Sequence, residues 1–262
     1  MTAQTFNATS AGPILAAIDI TMGEVLVTVD PAATAARVVI STTDTKGPAA
    51  DAVNGSRITQ DGHRLAVTVP ELKIKGNTVV GNMTVIGSGN VFQNVTMVGR
   101  GQTMTGVTII DGRVVAGDAG EVVSPVEVRI VLPAGSGVQL RTRNANLTVT
   151  GVLAALDADG HNGDVRTGIV GRIKRRGHNG NTDVEAVTEW ADIESHNGDT
   201  EIGSYGGGAA RLITHNGNIR LAASTAASGQ IEARAHNGNI RIHGNRPDLD
   251  VRTSTRNGRV SK

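Results

Sequence analysis

The tripeptide His-Asn-Gly occurs five times in the C-terminal half, beginning at His161, His178, His196, His215 and His236. Degenerate copies flank the run, Arg143-Asn144-Ala145 before it and Arg256-Asn257-Gly258 after it. Counted on Asn144, Asn162, Asn179, Asn197, Asn216, Asn237 and Asn257, the steps are 18, 17, 18, 19, 21 and 20 residues. A unit repeated at such a period must bury its apolar face against its own neighbours, so the repeat constrains the fold before any other feature does. Leu156 and Ala158, Ile193, Leu212, and Ile231 and Ala233 precede the asparagines at even offsets. Leu147 and Val149, Val165, Ile202, Ile219 and Leu221, and Ile240 and Ile242 follow at odd offsets. Each flank alternates with a period of two, the strand period, and the parity changes across Asn-Gly. The chain therefore turns a corner there, at Gly163, Gly180, Gly198, Gly217, Gly238 and Gly258, because Asn and Gly accept the backbone conformations a corner needs. Rungs of 17–21 residues with short strands and corners describe an all-β, parallel β-helix-like solenoid.

Charge order supports rungs stacked in register. Five positions before each asparagine stand Asp157, Lys174, Asp192, Arg211, Glu232 and Arg252, and the sign alternates without a break. Stacked about 4.8 Å apart, these residues meet opposite charges above and below, each pair worth roughly 0.2–1 kcal/mol. By the same reasoning, Arg172, Lys174, Arg175 and Arg176 read as one rung's outer face, neutralised by its neighbours, and not as a nucleic-acid patch.

The rest of the chain divides more loosely. Residues 1–13 carry no clear pattern and are expected to be disordered. Residues 14–75 hold alternating segments (Ile14–Ile20, Glu24–Val29, Arg37–Ser41, Arg64–Val69) that read as irregular N-terminal strands or first rungs, with an exposed loop over Thr42–Gly55. Residues 76–120 contain hexads such as Val79-Val80-Gly81 and Val85-Ile86-Gly87, paired into a 12-residue unit. Their bulky second positions differ from those of the hexapeptide acyltransferases, and no histidine lies among them, so they read as a short β insert. The solenoid proper is expected over 121–262.

Val131 to Ser136 (Val-Leu-Pro-Ala-Gly-Ser), then Val138-Gln139-Leu140-Arg141-Thr142 and the repeated Asn-Gly units, resemble the bacterial "putative adhesin" family of β-strand-repeat proteins, a family of unknown function. The resemblance runs from about Ile14 to Lys262. It implies a solenoid and transfers no catalytic residue. The departure is histidine at the corner, where the family usually has a small polar residue.

Composition narrows the function classes. There is no cysteine, so disulfide scaffolds, thiol nucleophiles and Cys-based zinc sites are excluded. Lys plus Arg number 25 against 24 Asp plus Glu, and four residues are aromatic, which leaves neither charge nor stacking surface for nucleic acid. No apolar run is long enough to span a membrane. No signal peptide is readable, so the expected location is the cytoplasm. No Gly-x-Ser-x-Gly elbow, P-loop or His-Glu-x-x-His stands in the chain, and an enzyme is not expected, nor a cofactor.

Three binding readings remain. The first is end-to-end self-association through the last strand, with Arg259, Val260 and Lys262 at the open edge, giving an oligomer or scaffold. The second is a monomeric surface for a protein or glycan partner, with Trp190 and Tyr205 as a candidate sugar-stacking pair. The third is a histidine ladder, His161, His178, His196, His215 and His236, whose adjacent rings would share a metal ion or respond to pH. Like-charge repulsion along such a ladder favours neutral imidazoles.

Overall fold

The computed structural model describes residues 1–72, 107–110, 113–116, 123–244 and 247–262. Most of the expected 76–120 insert lies outside the described residues. From the N-terminus come β1 (Thr2–Ala11), β2 (Leu15–Val29), β3 (Ala35–Thr42), α1 (Pro48–Asn54), β4 (Arg57–Asp61) and β5 (Arg64–Val69). A hairpin of β6 (Val107–Ile110) and β7 (Arg113–Ala116) follows. Next are β8 (Glu127–Leu132), β9 (Gly137–Asn162), β10 (Val165–Asn179), β11 (Thr182–Asn197), β12 (Thr200–Tyr205), β13 (Ala209–Asn216) and β14 (Ile219–Ala223). The last four are β15 (Gln230–Asn237), β16 (Ile240–His243), β17 (Asp250–Asn257) and β18 (Val260–Ser261).

From β9 onward every ladder is parallel, and asparagine faces asparagine from rung to rung: Asn162 with Asn179, Asn179 with Asn197, Asn197 with Asn216, Asn216 with Asn237, Asn237 with Asn257. The chain is a β-solenoid. Each rung enters on a strand ending at the asparagine, turns at Asn-Gly, and leaves on a second strand. Alternation then sends every other side chain inward. Leu156, Ile173, Ile193, Leu212, Ile231 and Ala233 from the first strands meet Val149, Val184, Ile202, Leu221 and Ile242 from the second, all buried. Each Val, Leu or Ile side chain so buried contributes about 1.5–3 kcal/mol.

The varying rung length is absorbed opposite the Asn-Gly corner. Between β12 and β13 the return is Gly206-Gly207-Gly208, and between β14 and β15 it is residues 224–229. Corner register survives because the extra residues leave the ladder untouched.

The solenoid starts before the insert. β2 runs parallel to β9 from Leu15 against Gly137 to Thr28 against Thr150, with Met22 opposite Asn144 and Gly23 opposite Ala145. Met22-Gly23 is therefore the first corner of the stack. β8 and β5 also join β2 in parallel, while β3, β1 and β4 add antiparallel strands at this end.

Two expectations for this region are corrected. The N-terminal residues form a strand: β1 pairs with β3 from Thr2 opposite Thr42 to Asn7 opposite Arg37, and Phe6 and Ala8 pack on the core. The pairing partner supplies the order that the polar sequence does not. The loop over Thr42–Gly55 contains α1, started by Pro48 at its first turn and burying Ala49, Ala50, Ala52 and Val53. Proline at the first helical position and alanine within are favourable helix choices, but seven residues are too few for a visible helical period.

Candidate functional site

The corner carries three columns of side chains. Innermost is the asparagine ladder. Asn162 Nδ2 donates to Asn144 Oδ1 at 2.6 Å, and the pattern continues through Asn179 (2.6 Å), Asn197 (2.7 Å), Asn216 (2.7 Å), Asn237 (2.7 Å) and Asn257 (2.7 Å). Two residues further along is a second ladder that the sequence reading missed. The backbone N–H of Asp164 donates to Asn146 Oδ1 at 3.0 Å, Asn181 N–H to Asp164 Oδ1 at 2.9 Å, and Asp199 N–H to Asn181 Oδ1 at 2.9 Å. Asn218, Asn239 and Arg259 extend it. Its signal was present: every His-Asn-Gly is followed by Asp or Asn. The first ladder pairs side-chain amides with one another, and the second supplies acceptors to backbone N–H groups just past the corner.

The glycines lie between these columns under a tight stacking contact. A Cβ on Gly180 would lie 2.2 Å from Gly163 O, and one on Gly217 would lie 2.0 Å from Gly198 O.

Outermost is the histidine column. Successive ring centroids stand 4.6, 4.7, 4.7 and 4.5 Å apart from His161 to His236. The rings of His161, His178 and His196 are tilted by 48° and 47°, while His196, His215 and His236 are stacked within 3° and 10°. That stacking is unsuited to an ion shared between neighbours. With neighbouring planes nearly parallel, the ring lone pairs, each lying in its own plane, do not converge on an ion between the rings. Among the described residues no group of three or more His, Cys, Asp or Glu is placed to hold a metal.

Neighbouring rings strip water from His178 and His215, and adjacent imidazoles repel their positive forms, so both titrate below the ordinary histidine value. The unfolded chain, with imidazoles near about 6.5, then takes up protons before the folded one as pH falls. The share of stability that His178 and His215 contribute is complete above that value and is lost on acidification. Thermal melts are expected to show a Tm lower by a few degrees at pH 5.0 than at pH 7.5, with the difference narrowed in His178→Gln/His215→Gln. Burial pushes Asp192 up, but hydrogen bonds from Arg176 and Arg211 outweigh it and hold the carboxyl below its usual range. Its share is lost only in the more acidic window below about 3.9, separate from the histidines.

Beside the column, the charge order is realised in part. Arg211 pairs with Asp192 at 3.0 Å and with Glu194 at 3.2 Å, and Arg176 bridges Asp192 at 2.7 Å. The basic cluster needs correction. Arg172, Lys174 and Arg176 face outward, but Arg175 is 3 % exposed and points into the solenoid. Its parity is that of Ile193 and Leu212, and Gly160 and Gly177 leave the space: a Cβ on Gly177 would lie 2.7 Å from Arg175 Nη2. The guanidinium donates to Arg176 O and, at 3.1 Å, to Gly163 O. Trp190 and Tyr205 form no platform, because Tyr205 is fully buried in the core, where desolvation pushes its phenol up to about 12.

A groove of about 550 Å³ opens on this corner face across five rungs, lined by His196, His215 and His236 together with Glu194, Arg234 and Arg256. At the far end, β17 and β18 pair on one side only among the described residues, and Val260 is 41 % exposed. Arg259 N–H is engaged by Asn239, and Lys262 Nζ donates to Val251 O at 2.7 Å. Among the described residues no helix is long and apolar enough to cross a membrane.

No family model matches the chain, and no curated protein matches it. Solved structures do. A "putative adhesin" from Bacteroides fragilis is 13% identical, with a TM-score of 0.46, covering 99% of this chain and 96% of that one. A "putative cell adhesion protein" from Clostridium sporogenes is 8% identical with a TM-score of 0.35, covering 99% and 97%. A "putative lipid binding protein" from Parabacteroides distasonis is 8% identical with a TM-score of 0.41, covering 100% and 97%.

Proposed function

We propose that this is a non-enzymatic interaction protein whose solenoid holds its histidine-lined corner face against a partner. The observation that carries the reading is the groove itself. It crosses successive rungs, so in-register backbone pairing repeats the same side chains along it. A rigid, periodic array loses little conformational freedom on binding and suits an extended partner. An array of immobilised proteins and glycans, probed with the wild type and with His215→Glu, tests it. Signals lost in His215→Glu and kept in Glu201→Gln, on the strand beyond the corner, are expected. Signals that ignore the corner substitution would overturn the reading.

The one-sided pairing of β17 and β18 favours a second reading, association through that edge. Among the described residues the opposite end offers no matching parallel edge. There β1 is held by Gln60, whose Oε1 accepts from Thr9 N–H at 2.8 Å, and by Gln4, whose Nε2 donates to Asn54 O at 3.0 Å. Edge meeting like edge closes on a two-fold axis, so the product is a dimer and not a filament. Sedimentation velocity is expected to show a concentration-dependent monomer–dimer equilibrium that Val260→Asp removes. A monomer at every concentration would exclude it.

A further inference from the structure

The groove's chemistry narrows the partner. Glu194 is the one carboxylate lining it, and that group is already held by Arg211 at 3.2 Å and Arg176 at 3.8 Å. Arg234 lines the groove and shares its charge with Glu232. Arg256 occupies the next place in the histidine column and makes no ion pair among the described residues. Alongside stand three imidazoles, each a donor and an acceptor when neutral, and the hydroxyl of Ser254. The lining therefore asks for a ligand with both anionic groups and many hydroxyls.

Spacing adds a second condition. The column repeats every 4.5–4.7 Å along the groove. An extended peptide presents same-face side chains only every 6.6–6.8 Å or so, and slips out of register within two rungs. A pyranose chain advances by about one sugar per rung.

We propose that the groove binds a linear acidic polysaccharide, a chain of uronic-acid sugars lying along the solenoid axis, with carboxylates at Arg234 and Arg256 and hydroxyls on the imidazole edges of His196, His215 and His236. This rests on the corner face being the binding surface. Charge-assisted hydrogen bonds from the two arginines anchor the chain, and the imidazole ladder reads its repeat.

The test is calorimetric titration of the full chain with polygalacturonate, its methyl ester and poly-L-glutamate, together with histidine footprinting by diethyl pyrocarbonate. Polygalacturonate is expected to bind, to protect His196, His215 and His236 from modification, and to weaken by roughly tenfold in each of Arg234→Ala and Arg256→Ala. Both arginines are exposed, and folding is checked by the melting curve. Equal binding of poly-L-glutamate would overturn the sugar assignment, since charge alone would then suffice. Protection of the same histidines by the methyl ester alone would overturn the acidic class and leave the corner face as the binding surface. Protection by none of the three polymers would overturn the proposal, and an array signal insensitive to His215→Glu would remove the reading beneath it.

Discussion

Gly198→Ala is expected to be among the most damaging single-methyl substitutions in the solenoid. The backbone at Gly198 has φ of 140°, and a Cβ would lie 2.2 Å from Gly180 O and 2.7 Å from its carbonyl carbon. These are backbone atoms of the preceding rung, fixed by the pairing of Thr182 N–H with Asp199 O and Gly180 N–H with Asn197 O. The contact can be relieved only by parting two rungs. Backbone strain of about 1–2 kcal/mol and overpacking of about 1–3 kcal/mol combine to roughly 2–5 kcal/mol, a large share of the 5–15 kcal/mol that stabilises a domain. Two other glycines separate the contributions. Gly62 has φ of 54° with open space around it, so its alanine variant bears the conformational cost alone. At Gly208, in the return opposite the corner, the nearest atom is 3.9 Å away, and Gly208→Ala should change stability by no more than about 0.5 kcal/mol. Denaturant midpoints for the three variants test the order. Equal losses at Gly198 and Gly62 would show that stacking contact is not what demands glycine at the corner.

The second large effect is expected at Arg175. Burial disfavours its charge and lowers its pKa, while Asp159 and Asp164 oppose that shift. Arg175→Ala opens a void against Gly160 and Gly177 and strips donors from Gly163 O and Arg176 O, and should cost about 3–5 kcal/mol. Arg175→Met keeps most of the volume and removes a cation from a dry interior. What then remains is the two unpartnered carbonyls, about 1–3 kcal/mol. Equal losses for Met and Ala would mean that the guanidinium's hydrogen bonds, and not its bulk, hold these rungs together.

Arg175 also shows where sequence reading stops. Its even offset from Asn179 places it inward, like Ile193 and Leu212, while its charge points to the surface. Gly160 and Gly177, two residues nearer the corner on adjacent rungs, were the sign that a large side chain needed room. The rungs, the corners and the asparagine stacking were legible because one tripeptide recurs at a nearly constant step and backbone pairing forces like positions together. The second ladder was legible in principle, as Asp or Asn after each His-Asn-Gly, but its function depends on a side chain reaching the next rung's N–H, a contact between residues 17 to 21 positions apart. β1 and α1 were not legible. One takes its order from β3 and the other is shorter than two helical turns, so neither writes a periodicity of its own. The histidine column was readable as a column, but whether its rings stack or tilt depends on χ angles that no pattern encodes.

The asparagine ladder has a direction. Every amide donates toward the N-terminal rung and accepts from the C-terminal one, from Asn257 through to Asn144. Aligned amides polarise one another, so the bonds at Asn179 and Asn197, with neighbours on both sides, are stronger than those at either terminus. The molecule thus carries an electrical polarity along its axis, set by which way a side-chain amide can face. Its cohesion is greatest in the middle, and mechanical or thermal peeling should start at the outermost rungs and run inward.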